Sequence, residues 1–176
     1  KGMRVRAIGG IGEAMKNIGA VPTSVPATEV YTSIERGTVQ AASFPSTYAH
    51  AAYKIHEVGS WYTANLTPGT QACPTLINKN AWAQIPAQYQ KLFEEARPNA
   101  RKALVAAYGA ADEKNIPLFK RKLTFINYPA SELAQFRKLG AQPVWDKWVT
   151  ETTAKGAPAK ELLQLILDTA AKATKK

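Results

Sequence analysis

Thiol and imidazole chemistry is nearly absent from this sequence, which has one cysteine, Cys73, and two histidines, His50 and His56. A lone cysteine forms no intrachain disulfide. In "QACPTL" its neighbours are apolar, so it reads as a small buried hydrophobe. The histidines stand six residues apart, which is not the i,i+4 spacing of a helical metal pair. They read as helix-surface or partly buried side chains. There is no G-x-S-x-G serine elbow, and the adjacent Glu94 and Glu95 face different directions on a helix, so no carboxylate pair is set up for acid–base work. The glycine cluster "AIGGIGEA" matches neither G-x-G-x-x-G nor G-x-x-x-x-G-K-[ST]. No catalytic residue, metal or cofactor is expected, and the chain does not read as an enzyme. Long apolar runs are missing too: "LLQLILDTAA" is charge-interrupted and well short of the roughly 18 residues of a membrane span.

Acidic residues are scarce, 13 against 23 Lys and Arg, for a net charge of +10. Residues 1–60 nearly balance, with six basic and four acidic side chains, whereas ten basic meet five acidic after residue 120. A nucleic-acid-binding domain is one reading of such a chain. The charges, however, are interspersed along helical stretches, and only the final "KATKK" resembles a tail. Solvated helix faces, with an acidic small ligand, fit better. At 176 residues and 45% hydrophobic composition the chain suits one globular domain, or one and part of another. Its opening, "KGMRVRAIGG", lacks a secretory apolar stretch of about 7–15 residues. Because the chain begins on what reads as a strand, it is expected to be an internal piece of a longer one; a cytosolic protein is the other reading.

Elements alternate early. "MRVRAIG" has the period-two pattern of a strand, and "IGEAMKNIG" reads as a short helix stopping at Gly19. "AVPTSVP" is extended, and Thr28 is placed to cap a helix over "EVYTSIERG", closed by Gly37. "TVQAASF" returns as a strand, and "STYAHAAYKI" reads as a helix begun by Ser46. This alternation predicts βαβ units around a largely parallel α/β sheet, whose ligands gather at the carboxyl ends of the strands. "WYTANLTPG" and "QACPTLIN" are further extended segments. A long helical stretch follows from Lys79, with Pro86 acceptable at a helix start and Pro98 expected to kink or break it. "LTFINYP" is a late strand. One helix is expected to end near Gly140, another to run to Gly156, and a last one to carry an apolar stripe of Leu162, Leu163, Ile166 and Leu167.

Arg6 stands out as a candidate binding residue. A guanidinium near the end of a strand offers planar, bidentate recognition of a carboxylate that lysine cannot match. Arg4 and Arg6 as plain surface residues on an edge strand would give the same pattern, and periodicity leaves the two readings level.

Taken together, "KGMRVRA", "GAVPTSVPATEVYTSIERGTVQAA", "YKIHEV", "LINKNAWAQIPAQYQK" and "PVWDKWV" resemble, in order and spacing, the substrate-binding proteins of tripartite ATP-independent periplasmic (TRAP) transporters, the DctP-like family. The central stretch keeps Gly19, Ala20, Pro22, Pro26, Glu29, Val30, Tyr31, Gly37 and Val39 of the family pattern. A later block keeps Asn78, Lys79, Trp82, Ile85, Pro86 and Gln90. In this light Glu29 and Tyr31 belong to scaffold and pocket wall rather than to catalysis.

The resemblance implies a two-lobed periplasmic binding fold, here one nearly complete lobe plus a strand and the long connecting helix of the other. Residues 1–69 would be the second ligand-binding lobe, 70–110 a strand and helix of the first lobe running into the connecting helix, and 111–176 the return to the second lobe with the C-terminal helices. It also implies a periplasmic location, a missing N-terminal lobe, TRAP membrane permease subunits as partners and no nucleic acid. The arginine of the family's "KG-x-[KR]-[VI]-R" strand clamps the ligand carboxylate, and Arg6 holds that position. Where the family has "V-D-G-x-x-N-P", this chain reads "VQAASFP", so Phe44 stands in place of an amide. An aromatic wall there disfavours hydroxyl-rich acids and favours a monocarboxylate with an apolar or aromatic body. Ala27, where many members place an aromatic residue, leaves room for such a body. Asn65 and Thr67 lie in a segment that aligns with a pocket-lining loop. A ligand-sensing protein serving a signalling partner is the alternative on the same fold.

Overall fold

The computed structural model describes residues 1–45, 47–69 and 75–173. Ser46, Cys73 and the start of the strand expected over "QACPTLIN" lie outside the described residues. The chain forms two compact units: Lys1–Ser43, Thr63–Gly69 and Ile126–Lys176 make the first, and Phe44–Tyr62 with Thr70–Phe125 the second. Segment 44–62 groups with the long helix.

In the first unit, β1 (Arg4–Arg6) is the middle strand of a parallel sheet, between β2 (Val21–Thr23) and β3 (Ala41–Ala42). Helix α1 (Gly9–Asn17) links β1 to β2; a 3-10 turn (Ala27–Glu29) and α2 (Val30–Glu35) link β2 to β3. These are the expected βαβ units. The strand expected over "TVQAASF" is only two residues long. The main-chain N–H groups of Gln40 and Ser43 nonetheless donate to the Arg4 and Arg6 carbonyls at 2.8 Å, so pairing extends beyond it on both sides.

The glycine- and proline-rich stretch at 19–45 is scaffold. Gly19 turns the chain at φ +89 and Gly37 at φ +71, a region side chains resist. Val30, which starts α2, and Val39, just before β3, are fully buried. Thr28 does not cap α2: it sits inside the 3-10 turn, where the Glu29 N–H donates to the Pro26 carbonyl at 3.0 Å, and no side-chain cap bond forms. The extra turn shifts the helix start past Thr28.

The C-terminal part of this unit carries α7 (Ala130–Phe136), a π-type segment (Arg137–Ala141), α8 (Gln142–Thr153) and α9 (Ala159–Ala173). The helix expected to stop near Gly140 instead continues through it. Gly140 is needed for close packing rather than termination. A Cβ there would lie 3.1 Å from the Ala14 carbonyl and 3.2 Å from the Phe136 ring, and the Asn17 amide donates to the Gly140 carbonyl at 3.1 Å. The wider π-type turn also suits Pro143, which has no N–H to give the preceding turn. Of the stripe expected on α9, Leu163 and Leu167 are half-buried, whereas Leu162 and Ile166 are exposed.

The second unit holds α3 (Tyr48–Ala52), α4 (Ile55–Val58), α5 (Lys79–Gln84) and α6 (Ala87–Lys122). A two-stranded pair, β4 (Trp61–Thr63) and β5 (Thr124–Ile126), runs through the points where the chain passes from one unit to the other. The single helix expected over "STYAHAAYKI" is split because Lys54 takes a left-handed conformation, φ +55, which ends α3. The "NK…W…IP…Q" block is a helix junction. Asn78 caps α5 by accepting from the Asn80 N–H at 2.8 Å, Pro86 precedes α6, and the Gln90 amide donates to the Trp82 and Ile85 carbonyls at 2.9 and 2.8 Å. Pro98 does not end α6, which runs 36 residues with Pro98 and Pro117 inside it. Each proline withholds one main-chain donor. Pro98 lies on an exposed stretch, and Pro117 and Glu113, four residues before it, are exposed although Asn115 and Phe119 are buried, so water can satisfy the carbonyl left without a helical partner. No described helix is long and apolar enough to cross a membrane.

Two glycines should respond with opposite sign. Gly140→Val is expected to destabilise the protein by about 3 kcal/mol through overpacking. Gly109→Ala, at a position on α6 with no atom within 4 Å of the added methyl, should stabilise it by about 0.5–1 kcal/mol. Chemical denaturation of both variants checks this.

Candidate functional site

Arg6 ends the central strand and is buried, 8% exposed. Its Nε donates to the Val25 carbonyl at 3.1 Å and its Nη1 to the Ser43 carbonyl at 2.9 Å. Val25 follows β2 and Ser43 follows β3, so the guanidinium braces the chain leaving both flanking strands. Its plane is thereby set by the fold rather than by a flexible stem. Arg4 does something else. It is exposed, and its Nε and Nη2 donate at 2.8 Å to the Thr38 and Gly37 carbonyls, closing the link from α2 to β3. The two arginines that periodicity left equivalent are thus distinguished by burial and by partner.

Ala27 lies two residues beyond the Val25 carbonyl that Arg6 holds, and is half-buried at the start of the 3-10 turn. Phe44 is the residue after Ser43 in the chain but belongs to the second unit. Asn65 is tied down elsewhere: its Nδ2 donates to the Tyr128 carbonyl at 2.8 Å and its Oδ1 accepts from the Tyr128 N–H at 2.9 Å. Both ends of the amide therefore hold main chain, securing the loop after β4 to the chain after β5. Thr67, further along the same loop, is exposed. A groove of about 610 Å³ in the first unit is lined by Ile18, Leu66, Leu133, Phe136 and Leu139, with Lys16 at its side. None of Arg6, Ala27, Asn65 or Thr67 lines it.

Within the second unit, Phe44 stacks on Tyr53 at 5.4 Å between ring centroids and meets His50 edge-on at 5.7 Å. His50 also meets Tyr62 at 5.6 Å and Phe119 at 6.4 Å, while Tyr62 touches Phe119 and Phe125. Phe119, fully buried, also stacks on His56 at 5.3 Å. Sequence reasoning missed this aromatic cluster. Its signal was the density of rings and imidazoles in "FPSTYAHAAYKIH", which no single helical period organises because Lys54 breaks the helix.

Burial lowers the His50 pKa to about 4; a hydrogen bond with the Pro45 backbone opposes the shift, and nearby His56 adds to it. The Nδ1 atoms of both histidines are buried without a hydrogen-bond partner.

The fold and the braced arginine define a class first: an α/β lobe with a fixed cation at the carboxyl end of the central strand of a parallel sheet. The chain belongs to the family of bacterial extracellular solute-binding proteins, family 7 (DctP), matching it over residues 1–152. It is 29% identical over 114 residues to the monocarboxylate 2-oxoacid-binding periplasmic protein of Nostoc sp. strain PCC 7120, covering 62% of this chain and 30% of that protein. Its fold is similar to that of a TRAP periplasmic solute-binding protein from Desulfovibrio salexigens with bound orotic acid, at a TM-score of 0.78 and 19% identity, over 98% of this chain and 55% of the other. A TRAP solute-binding protein from Rhodoferax ferrireducens with copurified benzoate gives a TM-score of 0.73 at 21% identity, over 99% of this chain and 56% of the other. The chain thus spans about half the length of these structures and about a third of the curated relative. The two-lobed periplasmic binding fold expected from the sequence is the fold of these neighbours.

The lowered pKa has a signed consequence. The folded state favours neutral His50, so its contribution is complete above about pH 6.5 and is lost as pH falls toward 4. Stability should drop by on the order of 3 kcal/mol across that window. Denaturant melts at stepped pH should show the drop in the parent protein and a shallower one in His50→Phe.

Proposed function

We propose that this chain is part of the periplasmic solute-binding component of a TRAP transporter, which captures a small organic monocarboxylate and delivers it to the membrane permease. The observation that carries the reading is the buried guanidinium of Arg6, fixed by the Val25 and Ser43 carbonyls at the end of the central strand. A guanidinium held in one plane loses little freedom when a carboxylate docks, and its fork matches the two oxygens. In this reading residues 1–43 and the C-terminal helices belong to one ligand-binding lobe. The second unit belongs with an N-terminal lobe that completes the protein.

Phe44 selects the body of the acid. It stands where the family carries an amide, so a ligand hydroxyl directed at it would lose a partner and be disfavoured. Ala27 leaves space for an apolar or aromatic body. The orotate and benzoate found with two structural neighbours, and the 2-oxoacids named for the Nostoc protein, are acids of the proposed class. Thr67 is kept as a contact from the loop after β4. Asn65 acts in the same loop through the main chain it holds. No cofactor or metal is invoked.

Arg6→Ala in the complete protein should weaken carboxylate binding by about a hundredfold or more, in line with loss of a desolvated charged hydrogen-bond partner. Arg6→Lys, which keeps the charge but not the fork, should fall between Ala and the parent. Calorimetric titration with benzoate measures both. Equal affinity in all three proteins would remove Arg6 from the site.

A further inference from the structure

We propose that His50 is a positioning residue: it fixes the orientation of the Phe44 ring and, through that ring, which acid bodies the protein accepts. The selectivity part rests on the role given to Phe44 above; the positioning part rests on the rings themselves. Phe44 has Tyr53 against its face and His50 against it at a 73° interplanar angle. Tyr53 is itself 37% exposed and makes a soft support. His50 is the firm one, because it also packs at 83° against Tyr62 and at 73° against the fully buried Phe119. Among the described residues, His50 joins the Phe44–Tyr53 pair to the Tyr62–Phe119–Phe125 cluster. Edge-to-face contacts of this kind are directional, so they set a ring's angle as well as its depth.

The chemistry of the imidazole suits this task only while it is uncharged. Its Nδ1 is buried and without an acceptor. A proton there would need one, and the rings around it supply none. The titratable and charged groups about it are few. Tyr53 directly follows α3, the helix that carries His50, while His56 lies on α4 and Tyr62 on β4. On α6, Asp112 accepts the Thr47 hydroxyl, Tyr108 packs against Tyr48 at 4.9 Å, and Lys120 stands 6.0 Å over the Phe125 ring. His56 would repel a charged His50. The Pro45 backbone favours the charged form but does not offset burial, so a protonated His50 moves toward water and Phe44 loses the edge-on contact of the imidazole. An acid-sensitive Phe44 is a signature that simple core filling by His50 does not share.

The test uses the complete protein with ring-labelled phenylalanine, followed by NMR between pH 7 and pH 3.5. The Phe44 signal, assigned with Phe44→Leu, should shift with the same midpoint as the His50 imidazole, while Phe93 stays put. In His50→Phe the Phe44 shift should lose its pH dependence; in His50→Gln the signal should already be displaced at pH 7. A Phe44 signal indifferent to both variants overturns the proposal. Selectivity is read beside it, as the ratio of dissociation constants for benzoate and acetate. His50→Gln should change that ratio by about fivefold or more, whereas Arg6→Ala weakens both acids alike. An unchanged ratio overturns the selectivity claim. Binding of neither acid by the parent protein overturns the functional reading and the selectivity claim with it, while the Phe44 signal still decides whether His50 positions the ring.

Discussion

A cation held by two main-chain carbonyls organises the first unit. Arg6 reaches sideways from the central strand to the segments leaving both of its neighbours, so the three strand ends are bonded into one frame. The sheet alone would not achieve this, since its flanking strands are only three and two residues long. Short parallel strands contribute few ladder bonds, and the guanidinium adds two strong donors where the ladder stops. The same geometry gives the arginine its chemical meaning. In the proposed function, a side chain that the scaffold holds in one orientation would lose little freedom when a carboxylate docks.

The rest of the unit keeps that frame in place by close approach. Gly19 and Gly37 turn the chain where a Cβ is costly, and Gly140 lets a helix from the far end of the sequence lie against α1. Asn65 holds the chain after β5 through both ends of its amide. The second unit relies on aromatic packing around Phe119, with imidazoles taking places that benzene rings could fill. A buried imidazole nitrogen without a hydrogen-bond partner, as at the Nδ1 of His50 and of His56, carries a cost that a phenylalanine ring would not.

The sequence made the βαβ order and the turn glycines legible, because each follows from local pattern. It misled at Thr28, where proline-led 3-10 geometry displaced the cap. At Pro98, solvent around an exposed helix replaced the missing internal bond. At Gly140, a glycine that looked like a stop signal was a contact. Each failure has one cause: the deciding partner lies far along the chain or in the solvent. The separation of Arg4 from Arg6 was hidden for the same reason, since only the acceptors at 25, 37, 38 and 43 tell them apart. The aromatic cluster joins residues from 44 to 125 and left no periodic trace.

The most direct measurement of the central claim is a crystal structure of the complete protein grown with benzoate. The account predicts the carboxylate at the end of β1, with its oxygens about 2.7–2.9 Å from the Arg6 guanidinium nitrogens, and the bonds to Val25 and Ser43 retained. A well-ordered acid bound away from Arg6, with the guanidinium still seated on its two carbonyls, would contradict the account and leave this arginine a structural brace alone.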